Sequence, residues 1–110
     1  MKDKIKFDFT DDEKSLINQS LTMFRNSRIA QEESTSVIDE IMLKIVDKRV
    51  ELDTIDAGIV INALYKFRYS LENEEDTREN VNKLLMSMMA ETDKKKLLLR
   101  KTRGNARRYY

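Results

Sequence analysis

Leu16, Ile17, Leu21 and Phe24 recur at the three- and four-residue intervals that align side chains along one face of a helix. They follow Thr10-Asp11-Asp12-Glu13, a capping box in which the Thr10 hydroxyl accepts from a free backbone N–H while Glu13 reaches back. The spacing predicts a first helix over about 11–29. Val37, Ile38, Ile41, Met42, Ile45 and Val46 then draw a second apolar stripe and predict a helix over about 35–49. The stretch between them, 30–36, is polar and rich in capping residues, so it reads as a turn.

The pattern then repeats without a gap at an offset of 43 positions. Leu21, Phe24, Arg25, Ser27 and Glu32 fall on Leu64, Phe67, Arg68, Ser70 and Glu75. Apolar positions fall on apolar positions as well: Leu16 on Ile59, Ile17 on Val60, Ile38 on Val81, Ile41 on Leu84, Met42 on Leu85, Ile45 on Met88 and Val46 on Met89. The turn Glu32-Glu33-Ser34 lands on Glu75-Asp76-Thr77, and the lead-in Phe7-Asp8-Phe9-Thr10 lands on Val50-Glu51-Leu52-Asp53. A third helix is therefore expected over about 54–72 and a fourth from near Thr77.

Each hairpin has one apolar face that it cannot bury alone, and two repeats are too few for a solenoid. The expected fold is all-α: an antiparallel four-helix bundle of two duplicated hairpins, about 10–49 and 53–92, within a domain 1–93. Phe24 and Phe67 are expected in equivalent buried sites, and the alternation Ile5, Phe7, Phe9 suggests a short extended segment over the bundle end. Past Asp93 the repeat runs out, and a basic extension 94–110 begins with Lys94-Lys95-Lys96-Leu97-Leu98-Leu99-Arg100. Those three leucines have no counterpart in the first hairpin. They read as a contact with a partner or a second copy, or as a short helix folded back on the bundle.

Composition removes most chemistry from consideration. The 110 residues include no His, Cys, Trp or Pro and only two Gly. That excludes the usual acid/base side chain, a thiolate nucleophile and nearly all zinc, copper, haem and iron–sulfur ligation. Gly58 and Gly104 build no phosphate-cradling loop, and a ferritin-like metal site lacks its His. Paired acids at Glu32/Glu33, Asp39/Glu40 and 74–76 match no calcium loop, and acids near helix starts are favoured by the dipole. No enzyme activity, metal or cofactor is expected. Met1-Lys2-Asp3-Lys4 opens no signal-peptide or transmembrane run, so the expected compartment is the cytoplasm, without membrane contact.

A net charge of +1 conceals a split, because residues 93–110 hold eight basic residues and one acid against 13 basic and 19 acidic residues before them. Lys94, Lys95, Lys96, Arg100, Lys101, Arg103, Arg107 and Arg108, with Tyr109 and Tyr110 for base stacking, make a candidate nucleic-acid contact. Arg25 and Arg68 are expected to close their hairpins onto the acidic turns at Glu32/Glu33 and Glu75/Asp76. Met42, Met88 and Met89 belong to the expected core. Leu43 and Met86 lie off the main stripe at equivalent positions and, with Leu97, Leu98 and Leu99, are the candidate partner-binding residues.

The Lys/Ile/Asn/Glu-rich helices and the capped start Phe9-Thr10-Asp11-Asp12-Glu13 are similar to small helical proteins of low-GC Gram-positive bacteria and their phages or mobile elements. The functional expectation is a non-enzymatic helical adaptor or inhibitor that binds a macromolecule, in first place a protein, and that forms a homodimer. The alternative is a nucleic-acid-binding accessory protein that grips phosphate with the basic tail.

Overall fold

The computed structural model describes residues 4–107, with side chains as far as Lys95. The chain runs β1 (Lys4–Phe7), α1 (Asp11–Ala30), α2 (Ser36–Ile45), β2 (Val50–Asp53), α3 (Thr54–Ser70) and α4 (Glu75–Arg107). The protein is mostly helical, as the periodicity predicts, and it carries one small two-stranded sheet besides.

The capping box opens α1: the Thr10 hydroxyl accepts from the Glu13 N–H at 3.1 Å, and the Thr10 N–H donates to the Glu13 carboxylate at 2.9 Å. At its far end Glu32 takes a left-handed φ of 57°, which lets the Glu33 N–H reach the Arg28 carbonyl at 2.9 Å and close the helix. The start of α3 has a one-way N-cap, the Asp53 carboxylate accepting from the Asp56 N–H at 2.7 Å.

α2 ends at Ile45, short of the expected 49. Asp47-Lys48-Arg49 offers nothing apolar to bury, and the Lys14 ammonium takes the Asp47 carbonyl at 2.7 Å. From Val50 the apolar period changes to two: Val50 and Leu52 are buried, while Glu51 and Asp53 are half-buried. β2 was not expected from the sequence. It pairs antiparallel with β1 in the register Ile5↔Leu52 and Phe7↔Val50, which closes the core with four inward apolar side chains and leaves Lys4 and Lys6 outside. Phe9 lies against this end of the core, its ring stacked 5.1 Å from that of Phe7.

The broadest helix contact is α1 on α3; α2 packs on α1 and β2, and α4 on α3 and β1. Ile17 and Leu21 of α1, Ile38, Ile41 and Ile45 of α2, Val60 and Leu64 of α3, and Val81, Leu84 and Met88 of α4 meet in one buried cluster with the sheet. The starts of α1 and α3 and the end of α2 gather near the sheet, tied by the Lys14–Asp47 contact and by Lys44 of α2 on Asp56 of α3 at 2.7 Å. The hairpin turns 31–35 and 71–74 lie at the other ends of these helices.

Three expected core positions are open instead. Val37 is 49%, Val46 66% and Met89 37% exposed, because the buried stripe on α2 and α4 is narrower than the sequence pattern implies. Phe67 is buried, whereas its counterpart Phe24 is only partly so, with Lys66 and Arg28 lying 5.0 and 5.9 Å from the centre of its ring.

Candidate functional site

Each hairpin is closed by an arginine, and the partner differs from the expected turn acids. Arg25 of α1 donates to the Asp39 carboxylate of α2 at 2.8 Å, and Arg68 of α3 donates to the Asn82 amide oxygen of α4 at 2.8 Å. Asp39 and Asn82 lie 43 positions apart, like the two arginines. The turn acid Glu33 is taken by Arg28 at 3.3 Å, and Arg78 caps the second turn on the carbonyls of Leu71 and Glu72 at 2.8 and 3.2 Å.

The hydrogen bonds from Arg25 and then Thr35 hold the Asp39 carboxyl below the usual carboxylate range. Its contribution to stability is therefore present above about pH 4 and is lost as pH falls through the lowered folded value. Asp39→Asn keeps an oxygen for Arg25, as Asn82 does for Arg68, but removes the titration. The urea midpoint of wild type should exceed that of D39N at neutral pH, and the gap should close in acid; parallel pH curves would contradict this. Lys44 runs the other way. Its bond to Asp56 raises its pKa, so that contribution holds through the ordinary lysine range and is lost only as pH rises beyond it.

The candidate partner-binding residues of the helices are on the surface. Leu43 and Met86 are each 72% exposed, and each has a second open apolar side chain three residues on, Val46 and Met89. An open apolar pair thus recurs at an offset of 43 positions, with Val46 just past the end of α2 and Met89 within α4. Met89 also receives the Tyr65 hydroxyl on its sulfur at 3.8 Å. Met88 is fully buried and Met42 packs against the core. Leu97, Leu98 and Leu99, with Lys96, Arg100, Lys101, Arg103 and Arg107, fall in α4 beyond the described side chains. Arg108, Tyr109 and Tyr110 lie outside the described residues.

Of the basic candidates, Lys94 is exposed and Lys95 half-buried. They share an open groove of about 370 Å³ with Lys4, Ile5 and Lys6 of β1 and with Glu91. Lys4 and Lys6 escaped the sequence reading, although the alternation Lys4-Ile5-Lys6-Phe7 carried the signal that two lysines share the outer face of a strand. A second groove, about 720 Å³, runs along the polar face of α1 past Ser15, Asn18, Gln19 and Thr22, with Phe67 at its wall. Among the described residues no group of three acidic side chains is arranged to hold a metal ion, and no helix is long and apolar enough to cross a membrane. Comparison of the chain with protein families, curated proteins and solved structures found no match.

Proposed function

We propose that this chain is a non-enzymatic helical adaptor or inhibitor that holds a partner protein against the exposed apolar pairs of its outer helices. The observation behind the reading is the recurrence of one pair in both halves: Leu43 with Val46, and Met86 with Met89. Single exposed apolar side chains are ordinary on soluble proteins, but repetition of the same outward pair at an offset of 43 positions is not expected from chance exposure. Unbranched Met and flexible Leu side chains adapt to a partner's surface and lose water on contact.

The reading includes a duplication of the hairpin within a helical bundle. Three things support it: the matched arginine clips, the N-caps at Thr10 and Asp53, and the strand register. Phe7 stands opposite Val50, and these two positions are equivalent at the offset of 43. An antiparallel ladder between two halves related by a twofold axis must contain such a self-paired position. Self-association through Leu97 to Leu99 completes the proposal, with a cytoplasmic site of action. Light scattering should then report about twice 13.0 kDa, and a mass of 13.0 kDa would remove the dimer.

The competing reading, a nucleic-acid-binding accessory protein, draws on the cationic end of α4 and makes no use of the apolar pairs. Capture experiments with the full chain separate the two. A protein retained from nuclease-treated host extract by wild type, and lost with Leu43→Gln/Met86→Gln, supports the adaptor. A nuclease-treated extract that yields no retained protein, or a protein that the double variant retains unchanged, overturns it.

A further inference from the structure

We infer that the groove between β1 and α4 is a contact for the phosphate backbone of nucleic acid, made by Lys4 and Lys6 on the strand and Lys94 and Lys95 on the helix. Residues two apart on a strand lie about 7 Å from each other on the same face, so Lys4 and Lys6 present a spaced pair of ammonium groups. α4 packs on β1 and brings two more to the same groove, with Glu91 as the one acid in its lining. Asp53 and Glu51 stand across the ladder from Lys4 and Lys6, and Asp53 is already engaged in capping α3. Four lysines from opposite ends of the sequence therefore converge on one groove, against Glu91 in its lining and Glu51 and Asp53 on the neighbouring strand.

The surroundings favour a long polyanion over a single phosphate or an acidic protein patch. From Lys94 to the last residue the chain has eight basic residues and no acid, so the sequence that follows the groove is rich in positive charge. The lining has no buried polar side chain that could read a base edge or fix one anion, and its one apolar member, Ile5, is turned into the core. Dense, regularly repeated charge is what such a surface binds best, with little dependence on base sequence. Lysine on an exposed strand also discourages edge-to-edge pairing with other chains, but that role needs neither the open groove nor the lysines of α4.

The test uses the full chain and fluorescence anisotropy with labelled random-sequence single-stranded DNA, RNA and duplex DNA of about 20 nucleotides, over about 50–200 mM salt. Wild type should bind all three. K4Q/K6Q and K94Q/K95Q should each weaken duplex binding roughly tenfold at the lowest salt and flatten the slope of log affinity against log salt by about 1.8. K4R/K6R should keep wild-type affinity, which separates lost charge from a disturbed strand. K66Q/K83Q, two exposed lysines outside the groove, should change affinity less than about twofold.

Four results would overturn the inference: no binding by wild type at low salt, an unchanged slope for K4Q/K6Q, equal losses for K66Q/K83Q, or tighter binding of polyglutamate than of the nucleic-acid probes at matched charge, which would assign the groove to an acidic protein. L43Q/M86Q should leave nucleic-acid binding intact, so failure of this inference and failure of the adaptor reading are told apart.

Discussion

Truncating Leu64 to Ala is expected to cost about 3–5 kcal/mol, a large part of the total stability of a domain this small. Leu64 is fully buried in α3, the helix that packs on both α1 and α4, so the void it leaves opens between elements of both hairpins and cannot collapse by moving one of them. Leu21, its counterpart in α1, is equally buried and should cost about as much. Urea unfolding followed by circular dichroism checks both. Each variant should keep a single cooperative transition, because the buried residues of the four helices and the sheet form one cluster. Two separate transitions, or a loss below about 1 kcal/mol at either site, would mean that the hairpins do not share a core. Phe67→Ala should cost more than Phe24→Ala, since the Phe24 ring is partly open and the cations over its face return only about 0.5–1 kcal/mol each at an exposed site.

The second large effect concerns binding. Leu43→Gln/Met86→Gln should lower affinity for the partner protein by at least about a hundredfold, as loss of two central apolar anchors does at well-packed interfaces. Stability should hardly change, because both side chains are 72% exposed and touch little of the core. Calorimetric titration of the purified partner gives the affinity, and thermal unfolding gives the control. A fold-neutral double variant that binds like wild type would place the interface elsewhere. The dominant change should lie in the dissociation rate.

Much of the fold was legible because helix starts and apolar stripes are local signals. The Thr10/Glu13 box marks the start of α1, and α3 begins where the offset of 43 positions places it. β2 was not legible: Val50 and Leu52 are only two apolar positions, too few for their period to stand out, and they form a strand because β1 supplies the pairing. Val46 shows the same dependence on tertiary context. It continues the α2 stripe in sequence, but the helix stops at Ile45 and the chain turns to enter the sheet. The exposure of Leu43 and Met86 could be read from their displacement off the stripe. The partnership of Lys4 and Lys6 with Lys94 and Lys95 could not, because nothing local links a strand at one end of the chain to a helix at the other.

The central claim, that the repeated apolar pairs are the protein-binding surface, is tested most directly by site-specific photocrosslinking in the native host. A benzoylphenylalanine would replace Leu43, Met86 or, as an exposed control on α3, Asn62. The adaptor reading predicts one and the same protein crosslinked from positions 43 and 86 and absent from position 62. Crosslinks of equal yield from all three positions, or none from 43 and 86 while the protein remains folded, would contradict it.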